Sequence, residues 1–171
     1  IRPMESDHTL YVTNGTLVLA NTAAGRNVLG GDLTLIGGGA IRQLGSGTTF
    51  LGGKHTANGV VVSNGTLGFA LDASVGGAAA PITVAGGLLQ VDGTTVRGLE
   101  THAVNWSTFN GGIDVASPFN MLVITTNIDG TGSFTKAGPG RLVLMSADHT
   151  YSGGTIISNG WLRLAGGNDP L

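Results

Sequence analysis

The sequence predicts an all-β chain, and three observations carry that prediction. Gly accounts for 31 of 171 residues, about two and a half times ordinary usage. No window of eleven or more residues shows helical periodicity, and the good helix formers are scarce, with two Lys, two Glu and three Met in the whole chain. A short unit, strand then Asn-Gly then strand, recurs along the chain.

The Gly residues bracket short apolar runs such as Leu33-Thr34-Leu35-Ile36 and Met121-Leu122-Val123-Ile124. That spacing reads as turns between strands, not as a flexible linker and not as the Gly-X-Y period of collagen. The 20 Thr and 11 Asn fit the same picture. Thr is β-branched and favours strands, while Asn tolerates the left-handed turn conformation.

The repeated unit has three clear copies. Val12-Thr13-Asn14-Gly15-Thr16-Leu17-Val18-Leu19-Ala20 matches Val62-Ser63-Asn64-Gly65-Thr66-Leu67-Gly68-Phe69-Ala70. It matches again at Ile157-Ser158-Asn159-Gly160-Trp161-Leu162-Arg163-Leu164-Ala165. A weaker copy lies at Val84 to Val91, and Asp7-His8-Thr9 echoes Asp148-His149-Thr150. Spacings near 20 separate Leu122, Leu142 and Leu162, and 21 separates Leu67 from Leu88 and Ile113 from Phe134. The first half is looser, 16 from Leu17 to Leu33 and 17 from Leu33 to Phe50. A period near 20 with two or three strands in each is what one coil of a parallel β-solenoid shows. It predicts roughly 8 coils and, at about 4.8 Å per coil, a rod of roughly 40 Å. The rival is an antiparallel sandwich in which each Asn-Gly makes a hairpin. The repeat length argues against it, because sandwich strands recur every 8–12 residues or so.

Composition also bounds function. Charged residues are only 11%, the formal net charge is −2, and the sequence pI is about 6.0. No basic field is present to hold nucleic acid. No apolar run reaches the roughly 18 residues of a membrane helix, so no membrane insertion by this segment is expected. Without Cys there is no disulfide framework, thiolate metal site or cysteine nucleophile. The opening Ile1-Arg2-Pro3-Met4-Glu5 has no apolar signal core. The first residue and the turn-like close at Ala165 to Leu171 fit a single solenoid segment of a longer chain.

Candidate chemistry is sparse. The ten acids stand at 5, 7, 32, 72, 92, 100, 114, 129, 148 and 169. A polysaccharide-cleaving site needs paired carboxylates or an acidic calcium cluster. Only Asp72 and Asp92, 20 apart, would stack on adjacent coils, and two solvated turn residues is the preferred reading. Asp148-His149 and Asp7-His8 read as turns, since neighbours on a strand face opposite ways. No Gly-x-Ser-x-Gly, Gly-x-Gly-x-x-Gly, P-loop or calcium nonapeptide occurs. The sequons at Asn14, Asn64 and Asn105 also read as turns. The segment 97–112 breaks the repeat, holds His102, Trp106 and Phe109, and is expected to be a loop excursion. It is the first place to look for a bound ligand. Trp106 and Trp161 have the ring to stack on a sugar, although packing is the commoner use.

Residues 130–166 resemble a known family. The run from Gly130 to Gly166 is similar to the autotransporter-associated β-strand repeat, also called the passenger-associated transport repeat. The positions that match are Lys136, Gly138, Gly140, Leu142 and Leu144, then Thr150, Tyr151, Gly153, Gly154 and Thr155, and last Ile157, Gly160, Leu162 and Leu164. Phe134, Pro139, Trp161 and Asp148-His149 depart from the pattern. The resemblance implies a right-handed parallel β-helix from a large secreted protein at the surface of a Gram-negative bacterium. It implies no activity. Asn14, Gly15, Asn64, Gly65, Gly138, Gly140, Tyr151, Gly153, Gly154, Asn159 and Gly160 are accordingly expected to be turn and repeat residues. The function expected is a structural stalk or adhesin-like scaffold, with neither enzymatic activity nor a cofactor. A self-assembling fibre subunit is the alternative, and a carbohydrate-active enzyme fragment the lesser one. Expected partners are a second copy end to end, or a host or cell-surface glycan.

Overall fold

A computed structural model describes residues 10–13, 15–22, 26–36, 39–77 and 79–165. Seventeen strands and two short 3-10 turns make up its regular structure. Every strand pairing is parallel. That removes the Asn-Gly hairpin, which pairs its strands antiparallel.

The chain winds through three faces in turn. The first face begins with β1 (Leu10–Thr13), β4 (Leu33–Ile36) and β7 (His55–Thr56), paired in that order. It resumes later as β13 (Met121–Ile124), β15 (Arg141–Leu144) and β17 (Trp161–Leu164). The second face stacks β2 (Leu17–Leu19), β5 (Ile41–Gln43), β8 (Val60–Val62), the start of β10 (Pro81–Val91) and β11 (Ala103–Val104). The third stacks β3 (Arg26–Leu29), β6 (Thr48–Leu51), β9 (Thr66–Phe69), the end of β10, β12 (Asn110–Val115), β14 (Phe134–Ala137) and β16 (Thr155–Ile157). β10 spans two faces, with a register shift between Ala85 and Leu88 where Gly86 and Gly87 turn the corner.

The third face runs unbroken through seven strands, giving about six turns. At roughly 4.8 Å per step those six steps span about 29 Å. This is fewer turns than the roughly 8 expected from the sequence. Partners on this face are 18 apart at Thr48 and Thr66 but 24 apart at Leu88 and Gly112. Corners absorb the extra residues, so the coil is longer than the leucine spacing suggests.

Inward positions alternate with outward ones, and the inward ones stack into columns. Ile41, Val60 and Ile82 form one, and Leu122 with Leu142 another, all buried. The register of Leu122, Leu142 and Leu162 matches the sequence spacing. Other spacings do not mark stacked pairs. Leu67 pairs with Leu89, Ile113 with Lys136, Leu17 with Ile41 and Leu33 with His55.

Candidate functional site

The two fully described Asn-Gly copies fall at different corners. Asn14-Gly15 lies between β1 and β2, with Asn14 outside the described residues. Asn64-Gly65 joins the second face to the third, and Asn159-Gly160 joins the third to the first. In the two described copies the Asn Oδ1 accepts the next Gly N–H, at 2.8 Å for Gly65 and 2.7 Å for Gly160. Both glycines take positive φ, 60° and 70°. A Cβ on either would strike carbonyls of the preceding coil, those of Gly45 and Gly47, or of Gly138 and Gly140. The unit therefore encodes a bend, wherever one is needed.

Gly138 (φ 73°) and Gly140 frame the corner before β15, and the Gly140 N–H donates to Val115 O at 2.9 Å. Gly153 packs on Gly132, and the Gly154 carbonyl accepts the Phe134 N–H at 2.9 Å. Tyr151 hydroxyl meets Thr155 Oγ1 at 2.6 Å. Its ring ends an aromatic column of Trp106, Phe109, Phe134 and Tyr151, with successive centroids 5.3, 5.4 and 5.8 Å apart. Those distances suit tilted aromatic pairs.

Two buried polar side chains tie corners from inside. Gln43 Nε2 donates to the carbonyls of Gly45 and Gly47 at 2.8 and 3.1 Å, and to Asn21 Oδ1. Lys136 stands in the inward column between Ile113 and Ile157. Its Nζ donates to the carbonyls of Ala137, Gly138 and Asn159 at 2.5, 2.7 and 3.2 Å. Burial pushes its ammonium below the usual lysine range, and Asp114 opposes the shift. One ammonium thus joins its own corner to that of the next coil. Nothing in composition marks this role. The clue is position, two residues after Phe134 in an alternating strand and just ahead of Gly-Pro-Gly.

The acids that a cleavage site would need together take separate partners. Asp92 pairs with Arg26 at 2.6 Å, and Arg26 lies over the Phe50 ring. Asp72 Oδ1 meets His102 Nε2 at 2.8 Å and accepts from Thr101 Oγ1 at 3.0 Å. Among the described residues no three His, Cys, Asp or Glu gather where a metal ion would fit. His149 Nδ1 accepts the Ile128 N–H at 3.1 Å, while Asp148 is exposed. Burial holds His149 below its ordinary value against Asp129 and Asp148. Asp7-His8 lies outside the described residues. His55 is buried, neither ring nitrogen has a partner among the described residues, and burial lowers its pKa against the opposing field of Asp32.

The segment 97–112 borders three surface depressions. Before it, Thr95 Oγ1 donates to Ala70 O, and Val96 is buried with its carbonyl accepting from Asn120. Gly98 forms an isolated bridge to Val123, and Leu99 is buried. The chain then forms β11, turns through a 3-10 segment at Trp106–Thr108, and enters β12. A groove of about 370 Å³ lies between Leu71-Asp72 and residues 95–101. A smaller pocket of about 150 Å³ is lined by Leu99, Glu100, His102, Ala103, Val104, Trp106, Ile124 and Thr126. A polar trough of about 530 Å³ runs along Ser107, Thr108, Asn110 and Thr131 to Ser133. Glu100 borders the first two, folds over Gly98 and accepts from Thr125 Oγ1 at 3.2 Å.

Residues 134–164 match a family model described as the passenger-associated-transport-repeat. The chain carries a passenger-associated transport repeat. The repeat covers β14 to β17, with the lysine-tied corner at its centre. The Adhesin BmaC autotransporter of Brucella suis biovar 1 (strain 1330) is 28% identical over 172 residues, covering 91% of this chain and 5% of the relative. The chain therefore spans about a twentieth of the length of that relative. No solved structure matches the chain. Repeat, relative and parallel solenoid agree on a passenger-type segment.

Proposed function

We propose that this chain is a stiff, non-enzymatic passenger segment that projects or displays an adhesive surface outside a Gram-negative cell. The observation that supports it most is the unbroken parallel stack of seven strands on the third face. Each coil hydrogen-bonds to both neighbours and buries continuous aliphatic columns, so bending must break ladder bonds and packing together. The adhesin name of the relative supports the adhesive half of the reading. Low charge and absent Cys suit dense packing and passage through an oxidising compartment.

The test is deletion of whole coils from the segment within its full-length protein on the cell surface. Surface antibody labelling should persist while host-cell attachment falls. Unchanged attachment would overturn the display role, and polysaccharide turnover by the purified chain would overturn the non-enzymatic one.

A further inference from the structure

The pocket beside Trp106 is a ring-sized cavity with one aromatic wall, an apolar floor and acceptors at its edge. Its volume of about 150 Å³ is that of a cavity known to hold a single six-membered ring, and well below the 300 Å³ or more of a drug-sized site. Leu99, Val104 and Ile124 supply the floor. Trp106 packs against Phe109, with ring centroids 5.3 Å apart. Glu100 and Thr126 are both exposed and line the pocket.

His102 is the second observation. Its side chain is 1% exposed and lines the pocket. Its Nε2 lies 2.8 Å from the Asp72 carboxylate, a contact that fixes the orientation of the ring. Nδ1 is buried and has no partner among the described residues. His102 therefore closes one side of the pocket, held there by Asp72.

We propose that this pocket binds one neutral pyranose ring of a glycan, a hexose or N-acetylhexosamine. The apolar face of the ring stacks on Trp106, and its hydroxyls donate to Glu100 and Thr126. Charge decides against anionic sugars. The pocket lining contains no Lys or Arg, and Glu100 would repel a sialic acid or uronate. A quaternary ammonium group is disfavoured because the lining offers one aromatic ring, not a cage. The inference rests on the display reading above, since it names what the displayed surface would hold.

The experiment uses the purified chain with Trp161→Phe, which leaves Trp106 as the only indole. Trp106 emission is titrated with N-acetylglucosamine, galactose, sialic acid and choline. Saturable change in the millimolar range with a neutral sugar is expected, and none with the other two. Ala103→Leu, placed at an exposed position of the lining, should fill the pocket and weaken binding at least tenfold with the fold intact by circular dichroism. Glu100→Gln should weaken neutral sugars and relax exclusion of sialic acid. No response to any neutral sugar, a response that Ala103→Leu leaves unchanged, or preference for sialic acid or choline would each overturn the proposal. Attachment measured in parallel separates the two readings: if attachment persists when no sugar binds, the display role stands and only the pocket assignment falls.

Discussion

Lys136→Met removes the ammonium that ties two corners and keeps a side chain of similar length in the inward column. Three carbonyls lose their donor. Those of Gly138 and Asn159 lie at a partly exposed corner, so water can replace the lysine there. Ala137 is buried, and its carbonyl is the one left unsatisfied. An unsatisfied buried polar group costs about 1–3 kcal/mol, partly offset because Met needs no desolvation of a charge. The net expectation at neutral pH is a loss of about 1–2 kcal/mol, or a melting temperature lower by about 2–8 °C for a chain of this size. Charge linkage adds a second readout. The folded lysine has a lowered pKa, so between that value and the ordinary 10.5 the unfolded chain binds more protons. Wild-type stability should therefore gain a rising component with pH across that window, and the Met variant should lose it. Urea unfolding at neutral and alkaline pH measures both. Hydrogen exchange should localise the damage to β16 and β17, where Ser158 N–H donates to Lys136 O and Trp161 N–H to Gly140 O. A variant as stable as wild type at neutral pH, with the same alkaline slope, would refute the corner-tie reasoning.

Three further outcomes follow from the same geometry. Gly65→Ala should cost about 1–2 kcal/mol from its left-handed backbone, and more from the clash with the Gly45 and Gly47 carbonyls. Asn64→Ala should cost about 1 kcal/mol or less, and thermal melts compare the two. Phe134→Ala empties the middle of the aromatic column and should cost about 3–5 kcal/mol, read by urea denaturation. His55 and His149 have folded pKa values below the ordinary 6.5. The unfolded chain protonates first, so stability is full above about pH 6.5 and falls as pH drops toward the folded values. Denaturation midpoints at neutral and mildly acidic pH should show this fall, and His55→Leu should shrink it.

How much the sequence disclosed depended on corner regularity. Leu122, Leu142 and Leu162 stack as their spacing of 20 implies, because the intervening corners are alike in length. Leu17, Leu33 and Phe50 do not stack on one another, because early coils place strands of different faces at similar intervals. Asn-Gly was legible as a bend. It could not say which corner, since alternation of apolar residues is the same on all three faces. Lys136 was legible only as a repeat position, because charge argues for the surface until pairing is known. The break at 97–112 marked the segment beside the proposed pocket. Its pocket also needs Ile124 and Thr126 from the next coil, and His102 depends on Asp72 from the coil before. No linear reading supplies those neighbours.

The central claim, parallel coils stacked in register, is tested most directly by cysteine pairing in a chain that has none of its own. Arg141 and Trp161 are exposed partners on adjacent coils, at a strand spacing of about 4.8 Å that a disulfide can bridge. Ile156 and Arg163 are exposed on two different faces, yet would face each other if Asn159-Gly160 closed a hairpin. The account predicts rapid oxidation of the Arg141→Cys/Trp161→Cys pair and none of the Ile156→Cys/Arg163→Cys pair. The reverse result would contradict the solenoid.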